Sequence, residues 1–236
     1  MMLSMKRLNE NIIHLYNKWK EGYVRKETAL EEKIKPMKEW AKKYFYDTSE
    51  FEYTIDGIIV NGNLKVSCGL RKFDFPFVEC NGNFIIEDDF ESLKNCPRHV
   101  TGDFKCCNIY YRLTSLVGAP EEVGGTFDCN GCHSLSSLKG APKKVKNFDC
   151  SLCDLKSLVG APEIVTGDFT CWNSALLTTL NGAPEKVGGD FDCSCCDSLK
   201  SIKSLPKEIG GDLHIDKRFE GKIPKDVIIK GNIEYE

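Results

Sequence analysis

Between residues 104 and 213 the chain repeats itself, and that repetition restricts its fold more than any other feature. From Phe127 it reads F-D-C-N-G-C-H-S-L-S-S-L-K-G-A-P-K-K-V, and from Phe148 F-D-C-S-L-C-D-L-K-S-L-V-G-A-P-E-I-V, with close variants starting at Phe169 and Phe191. A unit of about 20–50 residues cannot enclose a core alone, so its copies must stack into a solenoid.

Nine units align on a strand-start residue: Leu64, Phe84, Phe104, Phe127, Phe148, Phe169, Phe191, Leu213 and Ile233, at intervals of 20, 20, 23, 21, 21, 22, 22 and 20. Gly stands two positions before this anchor in eight of the nine units, Lys146 being the exception. Such a Gly suits either a positive φ or a close approach between neighbouring coils. Two positions after the anchor come Val66, Ile86, Cys106, Cys129, Cys150, Cys171, Cys193, Ile215 and Tyr235. Alternate strand residues face the same side, so anchor and anchor+2 point inward. Cysteine standing where other units have Val or Ile assigns those thiols to the core. L-x-x-[LI] follows five of the strands, from Leu113/Leu116 to Leu199/Ile202, G-A-P closes four units, and P-x-x-[VI] recurs from seven prolines. Proline cannot donate to a sheet ladder, which places it on the return arc.

The segments 127–135 and 148–155 resemble the L-x-L-x-x-[NC]-x-(x)-L stretch of leucine-rich repeats, with Phe and Cys in two of the Leu positions. The resemblance covers roughly residues 57–236, and the G-A-P-x-x-V-x-G-D-F-x-C phrase is similar to short repeat proteins common in bacteriophage genomes. It implies a parallel β-sheet horseshoe of about eight or nine coils spanning 51–236, with the sheet lining a concave side. In that family the fifth residue after the strand start satisfies backbone groups of the following loop.

Residues 1–50 read differently. Leu8, Ile12, Leu15, Trp19 and Tyr23 fall on one helical face, and Leu30, Ile34, Met37, Trp40 or Ala41, and Tyr44 on a second stripe. Two helices are expected, interrupted at Gly22 and Pro36. This segment either covers the open end of the first coil or binds a partner. It carries a net charge of +3 against −6 for the remainder. No run of about 18 apolar residues occurs, so no membrane partner is expected. Thirteen cysteines without a secretion signal fit free thiols in a cytoplasm.

The main chemical alternative is zinc. Cys129-x-x-Cys132 and Cys150-x-x-Cys153 have zinc-ligand spacing, although the repeat period accounts for it without metal and Ile109 and Ser174 replace the second cysteine elsewhere. The four histidines are scattered, and no phosphate-cradling or dinucleotide motif occurs. No enzyme, cofactor or small-molecule substrate is expected.

The positive signal lies at anchor−1 and anchor+1, which must point outward. In the units anchored from 104 to 213 these positions carry seven Asp against Lys105 and His214. Asp168 and Asp190, at anchor−1, suit local Asx-turn bonds. Asp128, Asp149 and Asp192, at anchor+1, have no such role on sequence grounds. Trp172 is a candidate exposed anchor. The expectation is a non-enzymatic module that binds a basic protein through this acidic face. Direct nucleic-acid binding there is disfavoured, because phosphates would meet carboxylates. Nucleic-acid mimicry by a host-takeover or counter-defence protein of phage type, and a zinc-stabilised structural module, are the alternatives.

Overall fold

The computed structural model describes residues 2–67, 69–87, 89–107, 109 and 112–236, with side chains from residue 14 onward. All nine anchors stand in strands of one nine-stranded parallel sheet, whose strands follow one another in chain order through eight full turns. The register is direct, with Phe104 opposite Phe127, Phe127 opposite Phe148, and Phe148 opposite Phe169. In-register stacking of identical positions places six rings in one column. Consecutive centroids from Phe84 to Phe191 lie 5.1–5.9 Å apart. The inward cysteines run beside this column, all buried.

The return arc is also a strand. P-x-x-[VI] supplies six strands of a second, ten-stranded sheet, in which only the first pair, Phe51–Tyr53 with Ile58–Val60, is antiparallel. One sheet was expected from the sequence. The second arises because the [VI] residue is an inward side chain: Val123, Val145, Val165 and Val187 are at most 5% exposed. Between Val123 and Thr126 only Gly124 and Gly125 intervene, so the two sheets meet at a tight corner. L-x-x-L closes the remaining side, with Leu135, Leu138, Leu155 and Leu158 fully buried.

The G-A-P turn explains its own glycine. Gly140 has φ +96°, and a Cβ there would lie 2.4 Å from the Leu116 carbonyl oxygen of the preceding coil. Both the left-handed backbone and the close approach exclude a side chain. In the degenerate N-C-P version, Asn95 adopts φ +70°, as Asn tolerates.

The N-terminal segment is a single helix, α1 (Met2–Tyr44), which corrects the expectation of two. Pro36 sits inside it on the exposed side. The carbonyl it leaves unbonded therefore faces water, and buried Ile34 and Met37 hold the helix on either side. Ile34, Met37, Trp40, Ala41 and, just beyond the helix, Phe45 join the core of the first coils, where Trp40 Nε1 donates to Asp74 Oδ2 at 3.1 Å. Residues 14–33 are exposed throughout. Among the described residues no helix is long and apolar enough to cross a membrane.

Candidate functional site

The outward face of the nine-stranded sheet is built on side-chain ladders between coils. At anchor−1, Asn63 Oδ1 accepts the Asn83 backbone N–H (2.7 Å), and Asn83 Oδ1 accepts that of Asp103 (2.8 Å). Asn147 serves Asp168 (2.9 Å), Asp168 serves Asp190 (2.9 Å), and Asp190 serves Asp212 (2.8 Å). Each Asx oxygen thus reaches the same position one coil later rather than its own turn.

This geometry accounts for the Gly at anchor−2. A Cβ on Gly189 would lie 2.1 Å from Asp168 Oδ1, and one on Gly211 2.0 Å from Asp190 Oδ1. These glycines make room for the oxygen of the preceding coil, so close approach is the operative reason. The exception fits. Lys146 follows the one described coil with Thr126 at anchor−1, and there Asn147 Nδ2 instead meets Thr126 Oγ1 at 3.2 Å.

The anchor+1 carboxylates have turn roles as well, contrary to the expectation that nothing local holds them. Asp128 Oδ1 accepts the Asn130 N–H (3.0 Å) and Asp149 Oδ1 that of Ser151 (2.9 Å). Asp192 Oδ1 accepts from both the N–H (2.9 Å) and the hydroxyl (2.7 Å) of Ser194. Asn130, which the sequence reading passed over, also reaches Asp149 Oδ2 at 3.4 Å. The D-x-[NS] wording carries this signal at the strand end.

Local bonding does not neutralise the charge. Asp128 and Asp149 face each other in register, on strands about 4.8 Å apart. Lys105 lies across from Asp128 on its other side. Burial, then the neighbouring Asp149, raises the Asp128 carboxyl above its ordinary value, against the Asn130 N–H and Lys105, which lower it. A raised carboxyl pKa makes ionisation a cost to the folded state. Asp128→Asn is therefore expected to stabilise the protein at neutral pH. That gain should shrink as pH falls through the folded pKa and vanish below the ordinary value of 3.8. Thermal melts of both proteins across that range check this, and a gain that persists at the acid end contradicts it.

Among the described residues, Lys65 pairs with Glu87 (2.8 Å) and His214 Nδ1 lies 3.2 Å from Glu234 Oε2, both at the borders of the acidic run. The other sheet differs. Its outward column mixes both signs, with His99–Glu122 at 3.2 Å, Lys186–Glu208 at 3.1 Å and Lys230–Glu208 at 2.7 Å. Trp172 stands just past its strand, 37% exposed, and its carbonyl accepts the Leu152 N–H at 3.0 Å.

Eight of the described cysteines fall into two buried columns. Sγ of Cys129, Cys150 and Cys171 points at a carbonyl of the next coil (3.2–3.5 Å). The second cysteine donates backward, Cys132 to the Cys106 carbonyl (3.0 Å), Cys153 to that of Cys129 (3.3 Å) and Cys196 to that of Cys171 (3.3 Å). Ser174 Oγ makes the same bond to Cys150 (3.4 Å). Burial pushes the Cys150 and Cys193 thiols well above their ordinary value. Among the described residues, no group of three or more His, Cys, Asp or Glu is placed to hold a metal ion.

Of the described cysteines, only Cys107 and Cys195 are partly exposed. A thiol reagent should label these early in native protein and reach the buried ones only at the rate of opening. Stoichiometric zinc whose chelation unfolds the chain would overturn this thiol assignment.

No protein-family model, no curated protein and no solved structure matches the chain.

Proposed function

We propose that the chain is a non-enzymatic recognition module of leucine-rich-repeat type, which takes a basic protein partner on the outward, concave face of its nine-stranded sheet in a cytoplasm. One observation carries this reading. The second sheet mixes both signs among its outward charges and pairs several of them, whereas Asp128, Asp149, Asp168, Asp190 and Asp192 form a run of one sign. Their local bonds fix each side chain and leave the negative potential outside, where it can steer a cationic surface into register. Trp172, at the border of the run, supplies an aromatic contact.

The test is a comparison of two baits, the wild type and the Asp128→Asn, Asp149→Asn, Asp192→Asn triple variant, in lysate of the native host. Asn keeps an oxygen for each turn bond, so the variant should fold. Basic proteins retained by the wild type and lost from the variant support the reading. Identical captures on both baits remove the acidic face from the function. If the lost protein is one that binds nucleic acid and releases the module when given its own nucleic acid, the face acts by mimicry.

A further inference from the structure

Three pairs of buried thiols meet between coils. Cys132 is hydrogen-bonded to the Cys106 thiol of the coil before it, Cys153 to that of Cys129, and Cys196 to that of Cys171. In each pair the second cysteine also donates to its partner's carbonyl, at 3.0–3.3 Å, across 24–26 residues of chain. One member lies at the inward strand position, the other in the loop after the next strand. Neighbouring places in the same columns lack a second thiol. Cys150 meets Ser174, whose Oγ donates to its carbonyl at 3.4 Å, and the place corresponding for Cys193 holds Arg218. Two of the pairs also ionise unequally. The Cys106 thiol, with the Ile109 N–H, holds Cys132 below its ordinary value against burial, and Cys171 with the Ser174 N–H does so for Cys196. Cys106 and Cys171 are raised in turn, first by those partners and then by burial. A thiol that ionises beside one that keeps its proton suits disulfide exchange, in which the thiolate is the nucleophile.

We propose that Cys106–Cys132, Cys129–Cys153 and Cys171–Cys196 are sites of reversible disulfide formation, each closed by exchange with a low-molecular-weight disulfide. The thiolate of the loop cysteine attacks one sulfur of that disulfide, and the other sulfur leaves as a thiolate and takes a proton. The strand cysteine then loses its proton, attacks the loop-cysteine sulfur of the mixed disulfide and expels the second small thiol. Two protein thiols are oxidised by two electrons, and one small disulfide is reduced to two thiols. Because the sulfurs already meet, closure leaves the strand register as it is. Burial sets the rate, since the reagent enters only when a coil opens. Each coil of a solenoid contacts only its neighbours, so a bridge between successive coils suppresses the opening of that pair. A reducing compartment keeps the three pairs open, and an oxidising one closes them.

Incubation of the full chain with oxidised glutathione, quenched by alkylation and followed by non-reducing peptide mapping, tests this. The three named linkages are expected, with Cys150 and Cys193 recovered as alkylated thiols. Because access to buried sulfur is slow, a second sample is refolded from urea in a glutathione redox buffer, where the same three linkages should form. Each bridge should raise the melting temperature by about 5–10 °C, and dithiothreitol should reverse the rise. Cys132→Ser should abolish the Cys106 linkage and its share of the rise. The reduced variant should stay folded, since Ser174 already makes the equivalent bond in its own coil. Refolded protein in which only Cys107 and Cys195 are modified overturns the proposal. So do linkages within a C-x-x-C pair, or bridges whose formation lowers the melting temperature.

Discussion

Phe148→Ala is expected to lower stability by about 3–5 kcal/mol, the largest loss foreseen for any single side chain here. The ring is 1% exposed and lies between Phe127 at 5.4 Å and Phe169 at 5.5 Å. Truncation therefore removes stacking to both neighbouring coils and leaves a cavity. The flanking rings cannot collapse into it, because each is fixed by its own strand register. Against a total of about 5–15 kcal/mol for a domain, such a loss brings the protein near its unfolding threshold. Solenoid stability is a sum of coil and interface contributions, so position matters. Ile233→Ala, at a 38% exposed anchor in the last strand, should cost far less. Urea unfolding of the two variants measures both. Equal losses would mean that the Phe column does not carry the core.

Gly189→Ala has the second largest expected effect, and its cause differs. The backbone there needs no positive φ, so alanine is conformationally acceptable. What the new methyl meets is Asp168 Oδ1, 2.1 Å away and engaged with the Asp190 N–H. Displacing that oxygen breaks a bond between coils and presses on the carbonyl of Gly167, for a loss of about 1–3 kcal/mol. The protein contains the compensated version in Thr126 and Lys146. Asp168→Thr should therefore recover part of the loss when combined with Gly189→Ala, although alone it removes a ladder bond. A double-mutant cycle by urea unfolding reads this coupling. Additive losses would detach the Gly–Asx pairing from its steric explanation.

The strand-start column was legible in the sequence because burial selects side-chain type, and type recurs at the coil period. All nine anchors, and the inward cysteines two residues on, are legible from Phe, Leu, Ile and Cys alone. The return strand was half legible. Its inward Val was visible, but two-residue strands such as Glu122–Val123 leave too short a pattern to show a sheet. The Asx ladder was not legible, because donor and acceptor are about one coil apart in sequence. Asp168 and Asp190 thus suggested turns within their own coil. The turn bonds of Asp128, Asp149 and Asp192 are not legible either, because they close at strand ends and not at the Gly-Asp junctions where strands begin. Pro36 suggested a break, and only its solvent-facing placement shows why the helix continues. Whether Leu15 and Trp19 are covered depends on where the solenoid ends along α1, which periodicity does not encode. The exposure of Trp172 likewise depends on the neighbouring coil.

The acidic face as a docking surface is tested most directly by association kinetics, at two salt concentrations, against the partner recovered on the wild-type bait. The triple variant of Asp128, Asp149 and Asp192 should associate more slowly than the wild type, and with a weaker response to salt, at nearly unchanged dissociation. Trp172→Ala should instead dissociate faster, by about 2 kcal/mol or more. Association rates that are identical in the wild type and the triple variant at both salt concentrations would contradict the account.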